Sequence, residues 1–443
     1  MGAYIEYAKG GTDYRTKSTI SCWVKRSELG REQYIWGWGE NNSSDSYCRF
    51  DAADNIEMHC DGADGTFNTT RVFRDTNAWL HIVFSLDGSN ATANLRRRLW
   101  INGVQVDEGK GGISAFSAAV QGWHSTQDLW IGANPRQQQS SGHQYFNGLI
   151  SHFHYCSNNS YAASDFGEID ASTGIWKIKT SPSVNYGSEG FFLKMEDSSN
   201  LDLDSSSNNK TLTTSGTLTA TKDCPSNVFA TFNPLHNYHE GGTYAYGNTQ
   251  ITTGGSNKYT WNNSSFGMEA GKYYAEFKWV SGGTDILFGL TDKYTSSSTG
   301  ELGNYDKQYA YRTNGTVRNN NGDLSGWSGS SWTTGDVIGV LLDMDNHKLY
   351  FSKNGVIQNS STGISISTSP NDGCYYFSSC GYDDASCVLQ ANFGNGVFGT
   401  TALTGTTYNG ADGNGIFKYD PNNITLDGAS KSFKSLSTKG LNA

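Results

Sequence analysis

The sequence predicts an all-β protein built from two tandem antiparallel β-sandwiches, and three observations carry that prediction. Polar turn residues crowd between short apolar runs, no long stretch shows the 3.6-residue periodicity of a helix, and one strand, strand, Asn-Gly, strand pattern occurs twice. In the second copy DVIGVLL (336–342) precedes DMDNHKLYFSKNGVIQ (343–358), with Asn354-Gly355 between two strands. In the first, WLHIVFSL (79–86) precedes RLWINGVQV (98–106), with Asn102-Gly103 in the same place. Asn-Gly between strands signals a two-residue type I′ turn, because both central residues need positive φ. Two copies about 250 residues apart indicate two similar sandwiches rather than one large fold.

Composition agrees. At 443 residues the chain is long enough for two or three cores; 13% of it is aromatic, only 17% is charged, and it holds 53 Gly against 6 Pro. The formal charge of −10 disfavours nonspecific attraction to nucleic acid or anionic membranes. The one basic cluster, Arg96-Arg97-Arg98, reads as a solvated edge-strand terminus. The opening MGAYIEYAKGG has no basic-then-apolar leader, and no run approaches the roughly 20 apolar residues of a membrane span, so synthesis in the cytoplasm without membrane insertion is expected. The eight cysteines form no CxxC pair and read as reduced packing residues.

Taken in order, TISCWVK (19–25) alternates as a half-buried strand, followed by YIWGWG (34–39) and short strands at 48–51, 55–60 and 69–73. The first hairpin, DLWIG (128–132) and YFNGLISHFHY (145–155) complete the set. This ordered series resembles the laminin-G-like, concanavalin-like jelly roll, and a first domain is placed at 1–180. The stretch 157–235, with SDFGE, DSSSNN and PSNVFATFNPL, is similar to a connector in structural proteins of tailed bacteriophages, especially marine ones. Residues 181–235 are read as that connector, with 189–195 returning to the first sandwich as a strand. From 236 to 400, GKYYAEF, FGL, GDVIGVLLDMD, KLYFSKNGV and LQANFG resemble the SPRY family, a bent β-sandwich. Residues 401–443 read as a C-terminal tail whose four lysines, Lys418, Lys431, Lys434 and Lys439, either face an acidic neighbouring subunit or fray.

Enzyme chemistry finds little support. Glucanases related to the jelly roll carry alternating acids in the form E-x-D-x-x-E; Glu168 and Asp170 match, but position 173 is Thr, so a required carboxylate is missing. No GxSxG elbow, phosphate-cradling loop or zinc-protease helix occurs. His152 and His154 alternate on a strand with Cys156 and are weighed as metal ligands, against the ordinary reading of strand histidines satisfied by their neighbours. The laminin-G-like resemblance implies a calcium site in a rim loop, for which Asp61, Asp64, Asp202 and Asp204 are the candidate ligands, unless these are simply solvated turns. No other cofactor is expected.

Binding remains. Sugars are held by stacking on aromatic faces and by side-chain hydrogen bonds. Trp36 and Trp38 share a face in a Gly-rich stretch, and Trp123, Tyr294 and Trp327 sit among small polar residues, as loop aromatics do. The phage resemblance implies a non-enzymatic virion structural protein, in an exposed fibre or surface appendage. Its implied partners are other virion proteins, further copies of itself, and host-surface glycans or proteins engaged multivalently. A purely architectural capsid-decorating or tail-scaffold subunit is the alternative, and a glycan depolymerase is disfavoured by the missing carboxylate.

Overall fold

The structure, a computed structural model, describes residues 2–8, 16–39, 45–60, 66–106, 127–135, 144–236, 242–254, 258–292, 300–382 and 387–442. Strands dominate, and the only α-helix among the described residues is the single turn Thr438–Leu441. The chain divides into two units, 1–220 and 221–443, each a pair of packed antiparallel sheets.

In the first unit a seven-stranded sheet runs in the order Thr213–Ser215, Tyr4–Tyr7, Leu129–Ile131, Gln33–Gly39, Asp45–Phe50, Asn55–His59, Thr66–Val72. A six-stranded sheet runs Phe191–Leu193, Gly148–Ser157, Lys17–Arg26, Leu80–Asp87, Arg97–Ile101, Val104–Gln105. Side chains alternate across each strand, so Ile20, Cys22 and Val24 meet Ile82, Phe84 and Leu86 on the inner face, packed against Trp36, Trp38, Phe50 and Met58 of the facing sheet. Both Phe191–Leu193 and Thr213–Ser215, from the stretch read as a connector, are strands of these sheets.

In the second unit a nine-stranded sheet is built around Lys272–Ser281, Val337–Asp343, Lys348–Lys353 and Val388–Asn392, and a six-stranded sheet around Tyr376–Tyr382 and Asp285–Thr291. Its inner face is aromatic, with Phe277 stacked on Phe288 at 5.1 Å and Phe288 on Trp332 at 5.2 Å.

The two Asn-Gly hairpins share their backbone geometry. Asn102 and Gly103 have φ of 49° and 80°, and Asn354 and Gly355 have 48° and 80°, the positive pair that the turn demands. In each, the Asn side-chain oxygen accepts a backbone N–H at the start of the strand upstream, His81 at 2.8 Å and Val337 at 2.9 Å.

In each unit the hairpin-bearing sheet also has an apolar outer face, and the chain that follows folds back to cover it. In the first unit, segment 158–190 lays Tyr161, Phe166, Trp176, Val184 and Tyr186 over Val83, Trp100 and Cys156. Neither Arg97 nor Arg98 is a solvated terminus: Arg97 is buried on the Leu99 side of its strand, and Arg98 joins the cover layer, 4.9 Å over the Trp100 ring and donating to Ser160. In the second unit the residues read as a tail are packed structure. Phe417, Leu426 and Phe433 cover Tyr274, Leu341 and Tyr350, and Lys434–Ser435 adds a parallel strand beside Tyr273 and Tyr274. Lys431, rather than facing a neighbour, reaches the buried Asp343 of its own chain at 2.8 Å. The physical reason is burial: an outer face carrying Tyr274, Leu341 and Tyr350 cannot remain in water without cost.

Each cover touches its hairpin glycine. A Cβ at Gly103 would lie 2.5 Å from the Trp176 ring, and one at Gly355 would lie 2.5 Å from Tyr419. Gly355→Ala is therefore expected to lower stability by about 2–3 kcal/mol, joining the positive-φ penalty to a steric clash. Gly335 also has positive φ (89°) but open space around its Cβ position, so Gly335→Ala should cost only about 1 kcal/mol. Thermal denaturation of the two variants tests this; equal losses would remove the role of the Tyr419 contact.

The polar groups under the two covers titrate in opposite senses. Under the second, Glu276 is fully buried and accepts the backbone N–H groups of Lys418 (3.0 Å) and Tyr419 (2.8 Å), the Asn392 amide (2.9 Å) and the Tyr274 hydroxyl (3.3 Å). Burial outweighs these donors and raises its pKa to about 7. Under the first, burial lowers His81 to about 3 and His154 well below the usual histidine range. Nearby, burial also lowers His152, to about 4. Glu276 therefore adds stability that is complete below the ordinary glutamate pKa and is lost as pH rises through about 7. The histidines add stability that is complete above their ordinary pKa and is lost as pH falls below it. Calorimetry of the full chain between pH 5 and 7 should show the first unit's transition rising with pH and the second's falling, by about 1.4 kcal/mol per pH unit for each proton involved. Glu276→Gln should flatten the second slope; transitions that move together would contradict these assignments.

Candidate functional site

The outer face of the seven-stranded sheet differs from the apolar outer face of its partner. Strand register lines up two cross-strand rows on it. One runs Glu6, Trp130, Gly37, Tyr47, His59, Thr66, and the next runs Tyr34, Arg49, Glu57, Asn68. These rows form because apolar residues of the same strands, Trp36, Cys48, Met58 and Phe67, point into the core, leaving alternate polar and aromatic residues outward.

Arg49 lies at the centre. Its guanidinium donates to Glu57 Oε1 at 2.7 Å and to the Tyr34 hydroxyl at 2.9 Å, and pairs with Glu32 Oε2 at 2.9 Å. Glu57 also accepts the Tyr47 hydroxyl at 2.8 Å and the Asn68 amide at 3.1 Å, and Gln144 donates to Glu32. His59 stacks on Tyr47 with ring centroids 5.3 Å apart. Farther along, Tyr4 stacks on Trp130 at 3.9 Å, and the Glu6 carboxyl is raised by burial and then by neighbouring Asp128. The donors and acceptors are held in place by one another before any ligand arrives. Such an array suits a hydroxyl-rich ligand that adds its own hydrogen bonds to a fixed set.

The residues singled out from sequence fall elsewhere. Trp36 and Trp38 do share a face, but it is the inner one: each is 1% exposed and packed in the core, so they are corrected from ligand contacts to core residues. The alternation that sets them side by side also sets them opposite Cys48 and Ser46, both of which are buried. Trp327 is partly buried and packs against the core of the second sandwich. It lies 5.5 Å from Tyr311 and 5.7 Å from Phe351, and its indole N–H donates to the Gly315 carbonyl at 2.9 Å. Trp123, Tyr294, Asp61 and Asp64 lie outside the described residues. Asp202 and Asp204 do not fit a calcium site. Asp204 accepts from the N–H groups of Phe192, Ser206 and Lys210 and from the Ser206 hydroxyl, while Asp202 accepts the Thr214 hydroxyl at 2.7 Å. Their oxygens tie this loop to strands Phe191–Leu193 and Thr213–Ser215.

The histidine pair does not chelate either. A bulge sets two residues opposite Cys22 between Ser151 and His154, with His152 at φ 48°, and so breaks the alternation on which the pairing rests. His154 stacks on Phe192 at 3.9 Å and shares a hydrogen bond with the Tyr186 hydroxyl. Among the described residues no group of three or more His, Cys, Asp or Glu could hold a metal ion. Glu168 and Asp170 stand on a hairpin, both paired to Lys177.

One serine–histidine contact needs separate treatment. Ser21 Oγ lies 2.9 Å from His81 Nε2, the spacing of a nucleophile and its base. The Trp176 indole N–H, however, donates to His81 Nδ1 at 3.0 Å. Nδ1 must then carry the lone pair and Nε2 the proton, so His81 donates to Ser21 and cannot accept its proton. The contact is structural.

No residue of the Arg49 cluster stands out in the sequence, because each looks like the solvated side of a short strand. The available signal was the alternate pairs 47/49, 57/59 and 66/68 on three successive strands. It becomes a cluster only once their register is known.

Residues 2–160 match the model of the concanavalin A-like lectin/glucanases superfamily, and residues 272–396 match that of the SPRY domain. The chain thus carries a concanavalin-like and a SPRY domain in tandem. Among solved structures, the SPRY domain of human HERC1 is 20% identical, over 36% of this chain and 96% of that one, with a TM-score of 0.30. A human SPRY domain is 21% identical over 36% and 95%, with a TM-score of 0.27. A Bacteroides ovatus protein named as a candidate carbohydrate-binding protein is 16% identical over 49% and 56%, with a TM-score of 0.30. Among the described residues no helix is long and apolar enough to cross a membrane.

Replacing Trp36 or Trp38 by Ala should cost about 3–5 kcal/mol of stability, as deletion of a core aromatic does. Chemical denaturation reads this directly. A loss below about 1 kcal/mol would mean that these rings are not core.

Proposed function

We propose that this protein binds host-surface glycans through the outer face of its seven-stranded sheet, as an attachment subunit of a tailed-phage virion. The observation that carries the glycan reading is the Arg49 cluster, a preorganised set of hydroxyl-matching donors and acceptors beside aromatic rings, on a domain of the lectin superfamily. The virion reading rests on the similarity of 157–235 to connectors in phage structural proteins. Display in many copies on a fibre or surface appendage turns weak single contacts into avid attachment. Other virion proteins and further copies of the chain are the partners in that setting.

The test uses the full chain clustered on beads against host cells and their extracted polysaccharide. Arg49→Ala and Asn68→Ala should each weaken binding about 5- to 150-fold, the effect of about 1–3 kcal/mol per lost polar contact. Trp327→Ala serves as a control that alters the other domain. Unchanged binding in the two face variants, with folding confirmed by circular dichroism, would place recognition elsewhere. Antibody labelling of purified virions tests the location.

A further inference from the structure

We infer that this face selects uncharged sugars and excludes anionic ones such as uronic-acid polymers; the inference rests on the glycan reading above and deepens it. Arg49 is the one cation in the two outward rows, and its charge is already committed. Its Nε and one terminal nitrogen meet Glu57 Oε1 at 2.7 Å, while the other terminal nitrogen meets Glu32 Oε2 and the Tyr34 hydroxyl at 2.9 Å. Two carboxylates thus bracket one guanidinium. Asp51 borders the same row, with an oxygen 3.4 Å from the Asn68 amide that also binds Glu57. Glu6 lies at the far end of the neighbouring row, with Asp128 beside it.

A sugar carboxylate brought to this face would find no uncommitted cation in either row and several carboxylates close by. Like charges set opposite each other without a compensating partner are a standard device for rejecting the wrong ligand. A neutral pyranose meets no such penalty. Its hydroxyls can donate to the carboxylate oxygens of Glu32 and to the Asn68 side-chain carbonyl, while its apolar face can lie against the half-buried His59 ring, itself stacked on the buried Tyr47. The fixed acidic pair makes the site an acceptor-rich surface for hydroxyl groups.

The experiment compares bead-clustered full chain on dextran and a neutral galactan with the same protein on alginate, at low and high salt. The expected result is retention on at least one neutral polymer, exceeding retention on alginate by at least about tenfold at low salt. Glu32→Gln combined with Glu57→Gln releases the Arg49 charge while keeping side-chain size, and should raise alginate retention. Thermal denaturation confirms that this variant folds. Alginate retention by the unaltered protein that Arg49→Ala abolishes would overturn the inference and leave the glycan reading standing. Failure of the double variant to gain alginate binding would also overturn it. Retention on none of the polymers and on no host polysaccharide would overturn the glycan reading, and this inference with it.

Discussion

The structure depends on one burial constraint that acts twice. In each unit the sheet that carries the Asn-Gly hairpin is apolar on both faces, so pairing with the opposite sheet leaves one face still to be removed from water. The chain following each hairpin sheet supplies the cover, 158–190 in the first unit and 408–436 in the second. The aromatic rings Trp176 and Tyr419 close each cover on the turn glycine itself, so a local turn requirement and a long-range packing requirement meet at one residue.

Covering a face also buries the polar groups on it, and each cover handles them differently. In the first unit neutral histidines are stacked between aromatic rings and joined to hydroxyl or indole groups, which is why burial holds their pKa values down. In the second unit two sheet carboxylates are buried and met by donors from the cover, Glu276 by backbone N–H groups and Asp343 by Lys431, while the cover's exposed Asp427 accepts the Tyr350 hydroxyl of the sheet. These contacts set the register of the cover on the sheet, since an unmatched buried carboxylate would cost more than the apolar contacts around it contribute.

With one sheet of the concanavalin-like domain closed on both faces, its partner sheet is left with a polar and aromatic outer surface. Function can then reside on a sheet face rather than in loop tips. The side chains there stand on paired strands, and their hydrogen bonds to one another limit how far any can move when a ligand binds. The same network fixes the charge balance of the surface.

The sequence alone determined the strands, the two turns and the tandem plan, because period-2 alternation and the positive-φ demand of Asn-Gly are local properties. It also pointed to the two domain families through ordered runs such as RLWINGVQV and GDVIGVLLDMD. Which face a residue occupies was decided only by tertiary structure. Trp36 and Trp38 share a face on either reading, and only the pairing with Cys48 and Ser46 shows that it faces the core. The same holds for residues 408–436, whose Gly- and Asn-rich composition reads as a loose tail until an apolar sheet face is found waiting for Phe417, Leu426 and Phe433. Arg49, Glu57 and Asn68 are ordinary strand residues in the sequence; they become a candidate site because cross-strand register, a long-range property, brings them side by side.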